Sequence, residues 1–434
     1  MKTAQVKIES IEAVDIRFPT SRTGAGSDAI NTDPDYSAAY CIVHTNHPEL
    51  KGYGLTFTNG RGNDLCVAAI EELGKLVTGM TMDQIMKDMA GFWRRVTGDT
   101  QLRWLGPQKG ILHMSAGALI NAIWDLLARM NEKPLWLLIS EMTPEELVRC
   151  IDFTDLQDVL TESEALAILK KQESSRSIRV DALIKRGYPA YTTSIGWLGY
   201  SDDQIRSLTH DALAKGWSAF KIKVGKDTEL NKRRSELIRD VIGPENKLMM
   251  DANQCWEREE AVKQIKALAP YDPWWIEEPI HPDDILGYQH VRQKVTPVRI
   301  AMGEHCHNRV MFKQFVQSHA IDVCQIDSCR VAGVNEVISI MLMAAKYDIP
   351  VCPHAGGVGL CEYVQHLSMI DYVCISGTMQ NRVIEYVDHL HNHFVDPVVI
   401  RNARYMPPSK PGYSVKIKEQ SKKDYTFPTG KIWN

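Results

Sequence analysis

The sequence predicts an α/β fold, a closed parallel strand–helix barrel preceded by a small α+β domain. Short apolar segments recur along the second half of the chain, each ends on a charged residue or a histidine, and helical stretches separate them. The polar ends are Lys223, Asp251, Glu277, Glu304, Asp327, His354 and Glu385, at steps of about 23 to 31 residues, the length of one βα unit. Such units repeated in order predict a barrel whose strand C-termini converge on one mouth and carry the chemistry. One acid after an apolar run reads as a turn or a helix cap; the ordered series does not.

Strand alternation is expected first in Val6 and Ile8 and in Val14, Ile16 and Phe18, then in Tyr40–His44 and Gly52–Phe57, together a small antiparallel sheet. A polar segment rich in Gly and Asp, from Thr20 to Tyr36, joins the first two and is too long for a hairpin turn, which suits a lid or a flexible excursion. Helical periodicity follows in Asp64–Leu76 and Met82–Val96 and is strongest in Gly110–Met130, where Leu112, Ala116, Leu119, Ile120, Ile123, Leu126 and Leu127 form a wide apolar face. The chain thus divides into an N-terminal α+β domain (1–135), a charged helical insertion (136–185), the barrel (186–390) and a Pro-rich tail (391–434) expected to return to the N-terminal domain. The barrel is expected to open at Ala190–Ser194, with helices at Asp202–Lys215, Thr228–Ile242 and Arg258–Leu268.

The 434 residues allow about two domains, and 44% hydrophobic with 24% charged residues is an ordinary globular composition. A net charge of −4 gives no reason to expect nucleic acid or an anionic membrane as partner. The N-terminus from Met1 to Lys7 lacks the apolar core of a signal peptide, and no segment is expected to reach the roughly 20 apolar residues of a membrane span, so a soluble cytoplasmic protein is expected. The ten cysteines contain no Cys-x-x-Cys pair and read as reduced thiols; Cys306-His307 and Cys324 with Cys329 have the wrong spacing for structural zinc. The run Asp388-His389-Leu390-His391-Asn392-His393 reads as solvated histidines rather than a metal site.

On the strand ending at Lys223, alternation sends Lys221 and Lys223 to one face and Phe220, Ile222 and Val224 to the other. Asp251, Glu277 and Glu304 come from three successive strands. Brought together they repel unless a cation lies between them, and an all-oxygen set suits Mg²⁺ better than zinc, one ion per subunit. The alternative pairs each acid with a nearby Lys or Arg. Lys221 and the metal together should lower the proton affinity of Lys223 and make it a base; Asp327 is placed to hold and tune His354. A metal beside two bases suits removal of the proton α to a carboxylate, a design that enolase-type enzymes exemplify.

These residues resemble the mandelate racemase subgroup of the enolase superfamily: Lys221-x-Lys223, the Asp251, Glu277, Glu304 set and the Asp327/His354 pair. The muconate lactonising subgroup, with a lysine in place of that pair, fits less well. Longer strings resemble the L-fuconate dehydratase family: Arg17–Ser21, Asp33–Tyr40, Gln101–Pro107, Gly187–Ser194 and His354–Glu362. The resemblance implies an α+β capping domain on a modified TIM barrel, (β/α)7β, in a homo-oligomer that takes a small acid sugar in carbohydrate acid catabolism. It implies that Lys223 removes the C2 proton of L-fuconate and that His354 protonates the departing 3-hydroxyl, giving a 2-keto-3-deoxy acid. It further implies substrate contacts from Gly26, Ser27, Asp28 and Tyr36 of the capping loop, from Asn253, Glu304, Ala355 and Gly356, and from Glu385 to the substrate carboxylate. Two positions depart from the family pattern: Cys255, where an Arg is expected, and His305, where a Gln is also common. They leave L-galactonate, an L-fuconate with one further hydroxyl, as the alternative substrate. A racemase or epimerase on the same scaffold, and a barrel that only binds, are the other readings.

Overall fold

The computed structural model describes residues 6–106 and 108–434; Met1–Gln5, and with them most of the leader reading, and Pro107 of the Gln101–Pro107 string lie outside the described residues. Strands β1 (Ile8–Arg17), β2 (Ser37–Thr45) and β3 (Lys51–Thr58) form an antiparallel sheet in sequence order, with Ile16 opposite Ala38 and Tyr40 opposite Leu55. Helix Gly110–Met130 lies across it. Gly54 makes that approach possible, since a Cβ there would stand 2.1 Å from the Ala118 carbonyl oxygen. Over an 18-residue window this helix reaches a mean hydropathy of 1.4, enough for a membrane span by length and composition, contrary to the expectation that no segment does so; 89% of the window is buried within the fold. The helix expected over Met82–Val96 is two, Met82–Lys87 and Met89–Thr97, because Asp88 leaves helical geometry and caps the second by accepting from the Gly91 N–H at 2.8 Å.

Parallel strands β4 (Tyr188–Thr192), β5 (Ala219–Lys223), β6 (Lys247–Asp251), β7 (Pro273–Glu277), β8 (Arg299–Met302) and β9 (Val323–Cys324) pair in order. Val351 bridges in parallel to Cys324, and β10 (Ile384–Tyr386) pairs in parallel with β4, returning the series to its start. Helices Asp202–Ala214, Thr228–Ile242, Arg258–Leu268, Ile285–Val295, Arg309–Gln317, Gly333–Lys346 and Leu360–Ile370 occupy the connections. This is the capped (β/α)7β barrel. Its interior is plugged by one apolar cluster that takes one residue from each of β4 to β9, from Tyr191 and Ala219 through Trp275 to Val323, with Cys352 and, just before β10, Val383. Two residues further along the same faces stand Lys221, Asp251, Glu277, His354 and Glu385, so the strand period of two places a charged layer on an apolar floor. Phe220, Ile222 and Val224 face the other way, into the core shared with the helices.

The cap is bonded directly to the loops at the barrel mouth. Thr56 Oγ1 donates to the Cys329 carbonyl at 2.8 Å, Trp93 Nε1 to the Ala332 carbonyl at 2.9 Å, and the Leu55 N–H to the Tyr363 hydroxyl at 2.8 Å. His113 Nε2 lies 2.7 Å from Glu336 Oε2, both buried. The helical stretch before the barrel lines its outside, where Arg309 and Arg94 each meet Asp152 at 3.2 Å. The tail first pairs with the barrel, where Arg404 and Tyr405 lie antiparallel to β4, and then lies on the cap: the Phe427 N–H donates to the Asp15 carbonyl at 2.8 Å and the Ile417 N–H to the Tyr40 hydroxyl at 3.0 Å.

His366 couples this tail to the core. Its Nδ1 accepts from the Trp136 N–H at 3.2 Å, its Nε2 lies 2.9 Å from Ser414 Oγ, and burial pushes its pKa down to about 3. The unfolded chain, with an ordinary imidazole near 6.5, binds the proton that the folded state refuses, so the stability present above pH 6.5 is lost as pH falls toward 3. The group should cost about 2 kcal/mol between pH 6.5 and pH 5. Urea midpoints should therefore fall less steeply with acidification in His366→Gln than in wild type; equal slopes would contradict this.

Candidate active site

The ends of β5 to β10 and the segment Val351–His354 bring the charged residues of the series to one mouth. One carboxylate oxygen from each of Asp251, Glu277 and Glu304 lies within 4.8 Å of the others. Glu304 follows Gly303, where a Cβ would meet the Gln325 backbone at 2.5 Å, so only glycine lets the chain bend inward there. Among the described residues, Glu304 Oε2 and Asn253 Oδ1 are buried without a hydrogen-bond partner. Three carboxylates with acceptor atoms left over fit a hard divalent cation. Asp251 and Glu277 also pair with the lysines and Glu304 with His305 and His354, so ligand-like clustering and ion pairing occur together.

Lys221 is the hub beneath them. Its Nζ donates to Glu277 at 2.9 and 3.0 Å, meets Glu385 Oε1 at 2.8 Å and stands 3.6 Å from Asp251 Oδ2, with Tyr191 beneath it. Burial opposes its charge, but Glu277 and Glu385 override burial, and the ammonium is held well above its ordinary pKa. The excess of carboxylates over ammoniums falls on Glu277: burial first, then the Asp251 charge, pushes it up to about 8 despite Lys221. Asp251 is held down at about 2, since Lys223 and Lys221 outweigh its burial.

Lys223 Nζ donates to Asp251 Oδ2 at 2.5 Å, 5.7 Å from the Trp197 ring. Its pKa is raised, contrary to the expectation that Lys221 would lower it: burial and Lys221 both act downward, but the directly bonded Asp251 wins. A cation on Asp251 would compete for the same oxygen.

His354 Nδ1 lies 2.8 Å from Asp327 Oδ2, and Asp327 Oδ1 accepts from the N–H groups of Cys329 and Arg330 at 2.7 and 2.9 Å. His354 Nε2 faces Glu304 Oε2 at 3.4 Å. Burial works against an imidazolium, yet Glu304, Asp327 and Glu385 outweigh it and push His354 up to about 10. Lys223 and His354 thus meet the carboxylate cluster at different members, Lys223 at Asp251 and His354 at Glu304.

The remaining expected residues fall into three groups. Glu385 is fully buried below the mouth with both oxygens engaged, by Lys221 and by the Ala355 N–H at 2.8 Å, and is held as a carboxylate; a contact to a substrate carboxylate would require it to give up one of them. The Gly356 N–H points at His354 Nε2 at 3.2 Å, and Asn253 lies beside Asp251, whose Oδ1 accepts its N–H at 3.0 Å. The capping loop bonds within itself: Asp28 Oδ1 accepts from the N–H groups of Ile30 and Asn31 at 2.8 and 2.6 Å, and Gly26 at φ +85° backs onto Tyr36, whose hydroxyl would lie 2.4 Å from a Cβ. Ser27 reaches Gly199 beyond β4, and Tyr36 packs on Phe57 and His389.

The histidines of 389–393 are not solvated as expected. His391 bonds Glu362 and the Val387 carbonyl, His393 bonds Ser421 Oγ, and His389 is packed against Tyr36, so the three rings turn to different partners. Glu278, Gln254 and Arg330, which bonds the Glu304 carbonyl at 3.2 Å, were not singled out in the sequence; the Glu277-Glu278 doublet was their one visible sign. A cleft of about 510 Å³ lined by Trp274, Lys247 and Arg299 opens at the opposite, N-terminal end of the strands.

Replacing Lys221 with Met leaves Glu277 and Glu385 buried without their cation. The metal-stripped variant should lose about 3 kcal/mol or more in urea unfolding, with part recovered on adding Mg²⁺; an unchanged midpoint would refute the hub role.

Comparison with known proteins agrees with this architecture. Residues 204–421 match the family described as Enolase C-terminal domain-like. The chain is 53% identical over 430 residues to mitochondrial enolase superfamily member 1 of Xenopus laevis, covering 98% of this chain and 97% of that one. It is 48% identical to L-galactonate dehydratase of Hypocrea jecorina, covering 98% and 95%. The crystal structure of human mitochondrial enolase superfamily member 1 superposes with a TM-score of 0.98 at 50% identity, covering 100% and 99% of the two chains. With its capped barrel, carboxylate cluster and flanking lysine and histidine, the chain belongs to the enolase superfamily.

Proposed function

We propose that the protein is a Mg²⁺-dependent hydro-lyase that removes water from a sugar acid to give a 2-keto-3-deoxy acid, with L-galactonate ahead of L-fuconate as substrate. The observation that carries the reaction type is Lys223 and His354 meeting three clustered carboxylates at different members, which supports a base and an acid acting on adjacent carbons. The similarity over nearly its whole length to an L-galactonate dehydratase supports that substrate and reverses the order expected from the sequence.

Asp251, Glu277 and Glu304 would hold the cation, which supplies positive charge where the substrate carboxylate gains electron density. In this reading Lys223, held as an ammonium by Asp251 in this structure, would first be freed from that carboxylate and lose a proton, with the Lys221 charge favouring the neutral amine, and its Nζ then takes the proton from C2. His354, charged and oriented by Asp327, gives its proton from Nε2 to the 3-hydroxyl as that group leaves as water. Lys221 keeps Glu277 and Glu385 in place beneath the reacting carbons. The capping loop from Gly26 to Tyr36 would contact the far end of the substrate and exclude water.

The test is 2-keto acid formation from a panel headed by L-galactonate and L-fuconate, using metal-stripped protein with and without Mg²⁺. Turnover of L-galactonate is expected only with Mg²⁺, and Lys223→Ala and His354→Asn should each lose roughly 1,000-fold in kcat. Metal-independent turnover, or variants as active as wild type, would overturn the proposal; C2 epimerisation without elimination would favour the racemase reading.

A further inference from the structure

Each of the three metal-ligand strands is followed by a polar side chain, and these three meet. After Asp251 comes Gln254, after Glu277 comes Glu278, and after Glu304 comes His305. Glu278 is fully buried yet does not follow the strand alternation that would send it outward; its φ of +43° turns it along the mouth. There its carboxylate accepts from Gln254 Nε2, from the His305 N–H at 3.3 Å, and from His305 Nδ1 at 3.0 Å to each oxygen. Gln254, itself at φ +61°, also donates its backbone N–H to the Glu278 carbonyl at 2.7 Å, and its amide lies 2.7 Å from His305 Nδ1. Three residues, one beyond each ligand, therefore form a closed polar contact, and two of them occupy left-handed backbone conformations that only surrounding structure can hold.

We propose that Gln254, Glu278 and His305 are positioning residues, a clamp that fixes the three ligand-bearing strand ends at their mutual spacing so that the site is formed before a divalent cation arrives. The proposal rests on the metal reading above. A carboxylate brought in as a fourth negative charge beside a repelling trio makes little sense as an isolated group. As the shared acceptor for the two neighbouring loops it ties them together, and His305 Nδ1 bridges it to Glu304, 3.0 Å from Glu278 and 3.6 Å from Glu304, with an oxygen of each acid within 4.8 Å of the other.

The experiment is Mn²⁺ titration of metal-stripped protein, followed by electron paramagnetic resonance, on wild type, Glu278→Gln, His305→Ala, His305→Gln and Gln254→Ala, with the Tm of each metal-free protein. Wild type should bind one ion. Glu278→Gln and His305→Ala should weaken binding by about 10- to 100-fold with a metal-free Tm close to wild type, and His305→Gln, which restores a side-chain donor, should recover most of the affinity. Absence of binding to wild type would sink the metal reading itself. Wild-type binding matched by every variant would overturn the clamp alone, as would affinity losses that merely track a falling Tm. A second ion lost in Glu278→Gln and His305→Ala would show that these residues are ligands rather than a clamp.

Discussion

The structure depends on how an excess of buried carboxylates is kept together at the barrel mouth. Asp251, Glu277, Glu304 and Glu385 stand over an apolar plug in a region from which water is largely excluded, where like charges repel strongly and ionised acids lack hydration. Lys221 meets three of them and Lys223 one, and Glu277, driven up to about 8, records the imbalance that remains. The same imbalance makes the mouth a strong site for added positive charge. Stability of the folded chain and affinity for a cation are in this sense two consequences of one arrangement.

The cap extends the constraint. Its helices and sheet are bonded to the loop that follows β9 and to Tyr363 in the helix after His354, and Tyr36, at the end of the capping segment, packs on His389 beyond β10. Lys223 and His354 are each less than a tenth exposed, so their charges act in a low-dielectric space that favours transfer of a proton to a positioned group over its loss to solvent.

Much of this was legible in the sequence because it is periodic. The strand period put Lys221 and Lys223 on one face, and the recurrence of βα units put Asp251, Glu277, Glu304, Asp327, His354 and Glu385 at strand ends; helix Gly110–Met130 was bounded correctly by its apolar face. What is set by contact rather than period was not legible. The raised pKa of Lys223 comes from one short bond to Asp251 that sequence spacing cannot reveal. Glu278 escapes the alternation rule through a left-handed residue, and His391 and His393 find partners far along the chain in Glu362 and Ser421. The substrate order changed for a different reason: one hydroxyl at the far end of a sugar acid leaves no trace in the motifs at the mouth.

The most direct test of the central claim, that Lys223 and His354 address neighbouring atoms beside one cation site, is exchange of the C2 proton followed by proton NMR in D₂O. With Mg²⁺ and L-galactonate, His354→Asn should wash deuterium into C2 while forming little 2-keto acid, because the base works and the leaving group lacks its proton donor. Lys223→Ala should do neither. Exchange by Lys223→Ala at the rate of His354→Asn would assign the C2 proton to another group and contradict the account.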